Sequence, residues 1–203
     1  MIAVIDYGLG NVQAFMDIYR GLNIPVIAAK KPDDLLGVRK CILPGVGAFD
    51  WAIQSLNHSG MRLPLEHLVI ENQCPVLGIC VGMQMLANRS DEGVLDGLGW
   101  ISGQIKKFDE VNFDRLPHLP HMGWNDVAVT QKNPLFADIT NPQFYFLHSY
   151  YFDPVDSASI VGITEYGCEF ASVVAEGNIY GTQFHPEKSH HWGVNLLKNF
   201  AEL

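Results

Sequence analysis

The chain has 203 residues, of which 48% are hydrophobic and 17% charged, and its formal net charge is -9. This balance is too apolar for intrinsic disorder, and the length fits one domain over residues 1–203 with a core of its own. The 13 Lys and Arg residues, against 22 Asp and Glu, exclude a phosphate-backbone binder, whose affinity depends on clustered positive charge.

The opening run Met1-Ile2-Ala3-Val4-Ile5-Asp6-Tyr7-Gly8 has no basic flank and no cleavage site, so it reads as a strand and not as a signal peptide. No apolar stretch approaches bilayer length, so the expected location is cytoplasmic, with no membrane partner. Ile2–Ile5 is followed by turn chemistry at Asp6–Asn11 and a helical pattern through Arg20. Strands are expected at Pro25–Ala28 and Cys41–Leu43, the second ending in Pro44-Gly45-Val46-Gly47, with helical patterns at Phe49–Leu56 and Met61–Glu71. Pro75–Ile79 is a buried strand that stops at Cys80 and leads into a helical stretch, Val81–Asn88. Such alternation implies an α/β fold, a mainly parallel central sheet with helices on both faces. The second half reads differently, with strands at Trp100–Phe108, Asp126–Thr130, Phe144–His148, Ile160–Tyr166, Ala171–Ala175 and Asn178–Phe184 and antiparallel pairing among them. Asp109–Pro120 is the candidate long surface loop, and Trp192–Ala201 the closing helix.

Of the four cysteines, Cys41, Cys74 and Cys168 read as structural thiols, because none has CxxC spacing. Cys80 differs. Gly78-Ile79-Cys80-Val81-Gly82 has the G-x-nucleophile-x-G form of a strand-to-helix elbow. Such a turn strains the central residue, and the flanking glycines leave room for the neighbouring chain. A helix N-terminus there favours thiolate over thiol and offers the Val81 amide to an oxyanion. Taken alone, the segment is also compatible with a buried cysteine whose glycines merely allow close packing.

Gln183-Phe184-His185-Pro186-Glu187 supplies a matching base and acid. In extended chain, residues two apart face one side, which brings His185 and Glu187 together. A carboxylate on one imidazole nitrogen frees the other to exchange a proton with a thiol. The alternative is a surface turn with a solvated ion pair. His118 and His121 read as loop histidines, and His190 and His191 as exposed or cap residues, so no metal site is expected. Neither a GxxxxGK[ST] phosphate loop nor a complete dinucleotide fingerprint occurs, and no cofactor is expected.

Pro44-Gly45-Val46-Gly47, Gly78-Ile79-Cys80-Val81-Gly82-Met83-Gln84 and Gln183-Phe184-His185-Pro186-Glu187 together resemble the class I, or triad, glutamine amidotransferases, in order and spacing, over nearly the whole chain. Within that family, Pro120-His121-Met122-Gly123-Trp124-Asn125, Tyr145-Phe146-Leu147-His148-Ser149-Tyr150-Tyr151 and Glu187-Lys188-Ser189 resemble the glutaminase subunits of imidazole glycerol phosphate synthases. The resemblance implies a flavodoxin-like glutaminase that releases ammonia from glutamine. It implies a heterodimer with a (β/α)8-barrel cyclase subunit, which uses the ammonia to make imidazole glycerol phosphate and aminoimidazole carboxamide ribotide in histidine biosynthesis. It carries Cys80, His185 and Glu187 over as the triad, and Val46, Gly47 and Val81 as oxyanion amides, with reorientation of a peptide in the Pro44–Gly47 segment. Gly45, Gln84, Ser149 and Tyr150 match substrate-holding positions, and Asn11, Trp124, Tyr145 and Lys188 match interface positions. The one departure is Val81, where a leucine is usual. Two rivals follow: a glutaminase serving another synthase, against which the segment from Pro120 to Asn125 speaks, and a noncatalytic subunit that kept the fold, against which the intact triad speaks.

Overall fold

The computed structural model describes residues 1–109, 111 and 119–203. Four consecutive buried apolar residues form β1 (Ile2–Ile5), the pattern of a strand covered on both faces. Asn11 then caps α1 (Val12–Gly21), its side-chain oxygen accepting from the Ala14 amide at 3.3 Å. The chain returns as β2 (Val26–Ala29), β3 (Lys40–Gly45), α2 (Phe49–His58), α3 (Arg62–Glu66), β4 (Val76–Cys80) and the single turn α4 (Val81–Gln84). β1 pairs in parallel with β2 and β3, and β3 in parallel with β4.

The second half adds β5 (Arg89–Ser90), β6 (Gly103–Lys107), β7 (His121–Asp126), β8 (Ala128–Val129), β9 (Gln143–His148), β10 (Tyr150–Pro154), β11 (Ile160–Glu165), β12 (Glu169–Glu176) and β13 (Ile179–Thr182), then α5 (His190–Glu202). Antiparallel pairing links β13, β12, β10 and β6. Along the main sheet the order is β2-β1-β3-β4-β13-β12-β10-β6-β5, while β7 and β9 form a separate two-stranded sheet. The expected α/β architecture, mainly parallel with antiparallel strands added late in the chain, is the one found. β13 returns to lie parallel beside β4, Thr182 opposite Ile79. The carboxyl ends of β3, β4 and β13 therefore lie side by side, which is where open α/β sheets place their ligand sites.

Several boundaries differ from the sequence reading. α4 stops at Gln84, well short of Asn88, because the Met85 and Leu86 carbonyls accept from the amides of Leu98, Trp100 and Ile101 and not from a following helical turn. The same bonds withhold Trp100 and Ile101 from β6, which starts at Gly103. His121 is not a loop residue: it opens β7 and is buried. His118 and most of the Asp109–Pro120 segment lie outside the described residues. Cys41 and Cys74 are buried and Cys168 half-buried, all unpaired. No helix among the described residues is long and apolar enough to cross a membrane.

The parallel half closes tightly around the β4–α4 turn. A Cβ at Gly82 would be driven into the Leu43 carbonyl of β3, and one at Gly45 into the Gly82 amide. Because the clash is with backbone, which cannot rotate away, Gly82→Ala is expected to destabilise the protein by about 3 kcal/mol or more in urea unfolding. A loss within about 0.5 kcal/mol would show that β3 does not lie against the turn.

Candidate active site

Cys80 ends β4 with φ 56° and ψ -113°, a conformation that costs a non-glycine residue roughly 1–3 kcal/mol. The surrounding chain over-determines it. Gly45 of β3 pairs with Cys80 in register, and the Tyr7 hydroxyl donates to the Pro44 carbonyl at 2.7 Å, pinning the end of β3. α4 has only four residues, too few to set a long helix dipole behind the sulfur.

His185 reaches the sulfur from the end of β13. Its segment is not extended as the spacing implied: Pro186–Lys188 is a 3₁₀ turn, with proline at the first position, where a missing N–H costs nothing. The turn still joins the two side chains, His185 Nδ1 and Glu187 Oε1 lying 2.9 Å apart with both groups almost fully buried. Ser189 locks the arrangement, its hydroxyl donating to the His185 carbonyl at 2.6 Å and accepting from the Tyr145 amide at 3.0 Å. The His185 amide donates to the Tyr145 carbonyl at 2.9 Å, tying the turn to β9. With Nδ1 taken by Glu187, the other imidazole nitrogen is the one free to exchange a proton with the Cys80 thiol beside it on the cavity wall. Burial opposes charge on His185, but hydrogen bonds to Cys80 and Glu187, with their charges, outweigh it and push its pKa up to about 10. Both contacts favour the protonated imidazole.

A cavity of about 300 Å³ opens over this pair. Among the sequence-derived residues, Val46, Gly47, Val81, Gln84, Ser149 and Tyr150 line it together with Cys80 and His185. Gly45 is not on the wall: it lies beneath, where its missing side chain lets β3 touch the turn. Gln84 donates through Nε2 to the Tyr150 carbonyl and to Gln183 Oε1, both at 3.1 Å, and Gln183 Nε2 lies 3.9 Å from the Cys80 sulfur.

Glu92 and His148 also line the cavity and were missed in the sequence reading. Glu92 sits in a turn with no periodicity to mark it; its Oε2 accepts from the Phe49 amide at 2.9 Å. Asp50 holds that turn, accepting from the amides of Val94 at 3.0 Å and Leu95 at 3.1 Å. Among the described residues no group of His, Cys, Asp and Glu could hold a metal ion.

Three of the four residues assigned to an interface gather beside the cavity. Trp124 and Tyr145 face each other across β7 and β9, and Lys188 Nζ lies 5.7 Å from the centre of the Tyr145 ring while also lining the cavity. His190 stacks on Trp124 at 5.1 Å, and Trp192 packs beside them. Trp124 remains 42% exposed, a large aromatic left partly in water. Asn11, exposed, starts α1 after the Gly8–Gly10 loop, in which Gly10 packs against Pro44 at the same carboxyl edge of the sheet.

The family model for class I glutamine amidotransferases matches residues 3–203. The subunit HisH of imidazole glycerol phosphate synthase from Bdellovibrio bacteriovorus is 53% identical to this chain, with both chains covered over 100% of their length. The corresponding protein of Leptospira borgpetersenii is 49% identical over the same full extent. Among solved structures, a glutamine amidotransferase superposes with a TM-score of 0.75 at 18% identity, covering 99% of this chain and 97% of that one. A glutamine amidotransferase from Thermotoga maritima superposes with a TM-score of 0.63 at 19% identity, covering 92% of this chain and 75% of that one. Those two likenesses extend to the fold.

The raised pKa of His185 couples its protonation to folding. The unfolded residue titrates near 6.5 and the folded one near 10, so its contribution is fully present below pH 6.5 and is lost as pH rises through about 10. The stability cost of His185→Asn, read by urea unfolding, is expected to be largest at pH 6 and to shrink toward pH 10. A cost that stays constant over this range would show that the buried imidazole is neutral.

Proposed function

Given that the chain belongs to the class I glutamine amidotransferases, we propose that it hydrolyses L-glutamine to glutamate and ammonia through Cys80, His185 and Glu187. We further propose that residues 1–203 act as one domain that delivers the ammonia to a (β/α)8-barrel cyclase subunit, which makes imidazole glycerol phosphate and aminoimidazole carboxamide ribotide in histidine biosynthesis. The observation that carries the reading is the placement of His185 between the Cys80 sulfur and the Glu187 carboxylate, on the wall of a cavity sized for a free amino acid.

In the first step the Cys80 thiolate attacks the side-chain carbonyl carbon of glutamine. Charge moves to the carbonyl oxygen, which the Val81 amide receives, with the Val46 and Gly47 amides completing the hole once the Pro44–Gly47 segment presents them. As the tetrahedral adduct collapses, the C–N bond breaks and His185 gives its proton to the nitrogen, releasing ammonia and leaving a γ-glutamyl thioester. His185, now neutral, takes a proton from water as the water oxygen bonds to the same carbon. The C–S bond then breaks, the thiolate returns beside protonated His185, and the new carboxyl group sheds its proton to solvent. Glu187 keeps Nδ1 protonated throughout and stabilises the imidazolium.

The cavity also fits the other end of the substrate. The Glu92 carboxylate, held by the Phe49 amide, suits an α-ammonium group, and Gln84 with the Ser149–Tyr150 main chain suits the remaining backbone groups. Gly45 contributes from beneath by keeping β3 against the elbow. The Trp124, Tyr145 and Lys188 patch, extended by Asn11, fits a partner docked over the cavity mouth, where it would keep ammonia from solvent.

Glutamate release by the chain mixed with its cyclase and the cyclase substrate is expected to fall at least about a thousandfold in Cys80→Ala. Equal release by the two proteins would remove Cys80 from the chemistry, as the noncatalytic reading requires. Glu92→Gln is expected to raise KM for glutamine about tenfold or more while kcat changes little, since a charged hydrogen bond is worth roughly 1.5–3 kcal/mol. An unchanged KM would place the α-ammonium elsewhere. The partner is tested by copurification: a barrel-sized cyclase is expected with the wild-type chain and much less of it with Trp124→Ala.

A further inference from the structure

Two buried histidines connect the partner-facing strand β7 to the wall of the glutamine cavity. His148, at the end of β9, and His121, at the start of β7, lie opposite each other in register, and His121 Nδ1 is 2.9 Å from His148 Nε2. His148 Nδ1 is 2.8 Å from the Tyr150 carbonyl. At the far end, Asn125 Nδ2 is 3.2 Å from His121 Nε2 and donates to the Glu165 carbonyl at 2.9 Å.

The chain of contacts admits one arrangement of protons when both rings are neutral. A carbonyl can only accept, so His148 Nδ1 carries its proton and Nε2 is a lone pair. His121 must therefore donate from Nδ1, which leaves its own Nε2 a lone pair, and the Asn125 amide supplies the hydrogen that position needs. Each link has one donor and one acceptor. Burial keeps the rings neutral, holding His121 down at about 4 and His148 at about 3. The rings are also fixed in place: His121 is stacked between Phe146 and Tyr166 at 4.7 and 4.0 Å, and His148 packs against Phe108 and Phe170.

The Tyr150 carbonyl at the end of this chain is the one that also accepts from Gln84, and the Ser149 carbonyl accepts from the Phe108 amide at 3.3 Å. The Ser149–Tyr150 main chain on the cavity wall is thus held from several sides. We propose that His148 and His121 are positioning residues for glutamine binding, a tautomer-locked pair that sets the Ser149–Tyr150 main chain from strand β7. The inference rests on the glutaminase reading and extends it to two residues that take no part in the proton transfers.

The distinguishing feature is that His121 does not line the cavity yet acts on it through His148. Without the His121 donor, His148 is free to move its proton to Nε2, which turns a lone pair toward the Tyr150 carbonyl. In glutaminase assays of the cyclase complex, His148→Phe, which keeps a ring and loses both hydrogen bonds, is expected to raise KM for glutamine at least about tenfold with kcat within about threefold. His121→Phe should raise KM to a similar degree. His148→Asn, whose amide can replace the Nδ1 donor, should recover much of the loss. Nitrogen-15 spectra of the histidine rings in the wild-type chain should show both neutral with the proton on Nδ1, a readout that survives if His148→Phe does not fold. An unchanged KM in His121→Phe with an active wild type, or a proton on Nε2 of either ring, would overturn the pair as a positioning device. Absence of glutamate release by the wild-type complex would overturn the glutaminase reading, and this inference with it.

Discussion

The conformation of one residue organises the molecule. Cys80 is held at positive φ where its own preference is for an ordinary extended or helical backbone, and a cost of roughly 1–3 kcal/mol has to be offset by its surroundings. The offset is visible in the close approach of β3 to the turn, with Gly45 and Gly82 back to back and the Leu43 carbonyl against the position a side chain at Gly82 would occupy. Tyr7, just past the end of β1, then ties down Pro44. The parallel half of the sheet thus acts as a vice for a single side chain, and the apolar strands around it supply the rigidity that the strain requires.

The antiparallel half brings what that cysteine needs. Because β13 inserts beside β4 and not only next to its neighbour in sequence, His185 arrives at the sulfur from across a strand boundary, 105 residues along the chain from Cys80. The 3₁₀ turn and the Ser189 hydroxyl fix its backbone and Glu187 its ring, while Tyr145 links the same turn to the β7–β9 sheet. The His185 turn and the exposed aromatic patch therefore share a support: Tyr145 bonds the His185 amide through its carbonyl and carries Lys188 over its ring. On the proposed function, a partner that shifted this sheet would act directly on His185, and through His121 and His148 on the Ser149–Tyr150 wall of the cavity.

Much of this was legible in the residues. The strand-to-helix elbow could be read because its glycine spacing is local, and the His185–Glu187 contact because residues two apart can meet in more than one backbone geometry; the pair formed although the chain there turns and does not extend. The parallel strands showed as short apolar runs. What escaped depends on contacts between distant segments. Glu92 lies in a turn without periodicity and becomes a cavity residue only because the α2 amide at Phe49 holds it. His121 looked like a loop histidine beside Pro120, and only pairing with β9 buries it against His148. The early end of α4 likewise came from carbonyls captured by a segment more than ten residues later.

The proposed mechanism requires a covalent bond at one of four free cysteines. Cys41 and Cys74 are buried away from the cavity and Cys168 does not line it, so the geometry allows no other thiol to take the acyl group. The direct measurement is to mix the cyclase complex with glutamine, quench in acid within the first turnovers and map the modified peptides by mass spectrometry. A single γ-glutamyl thioester on Cys80 is the expected result. Steady glutamate release with the adduct on another cysteine, or release that persists undiminished with Cys80 chemically blocked, would contradict it.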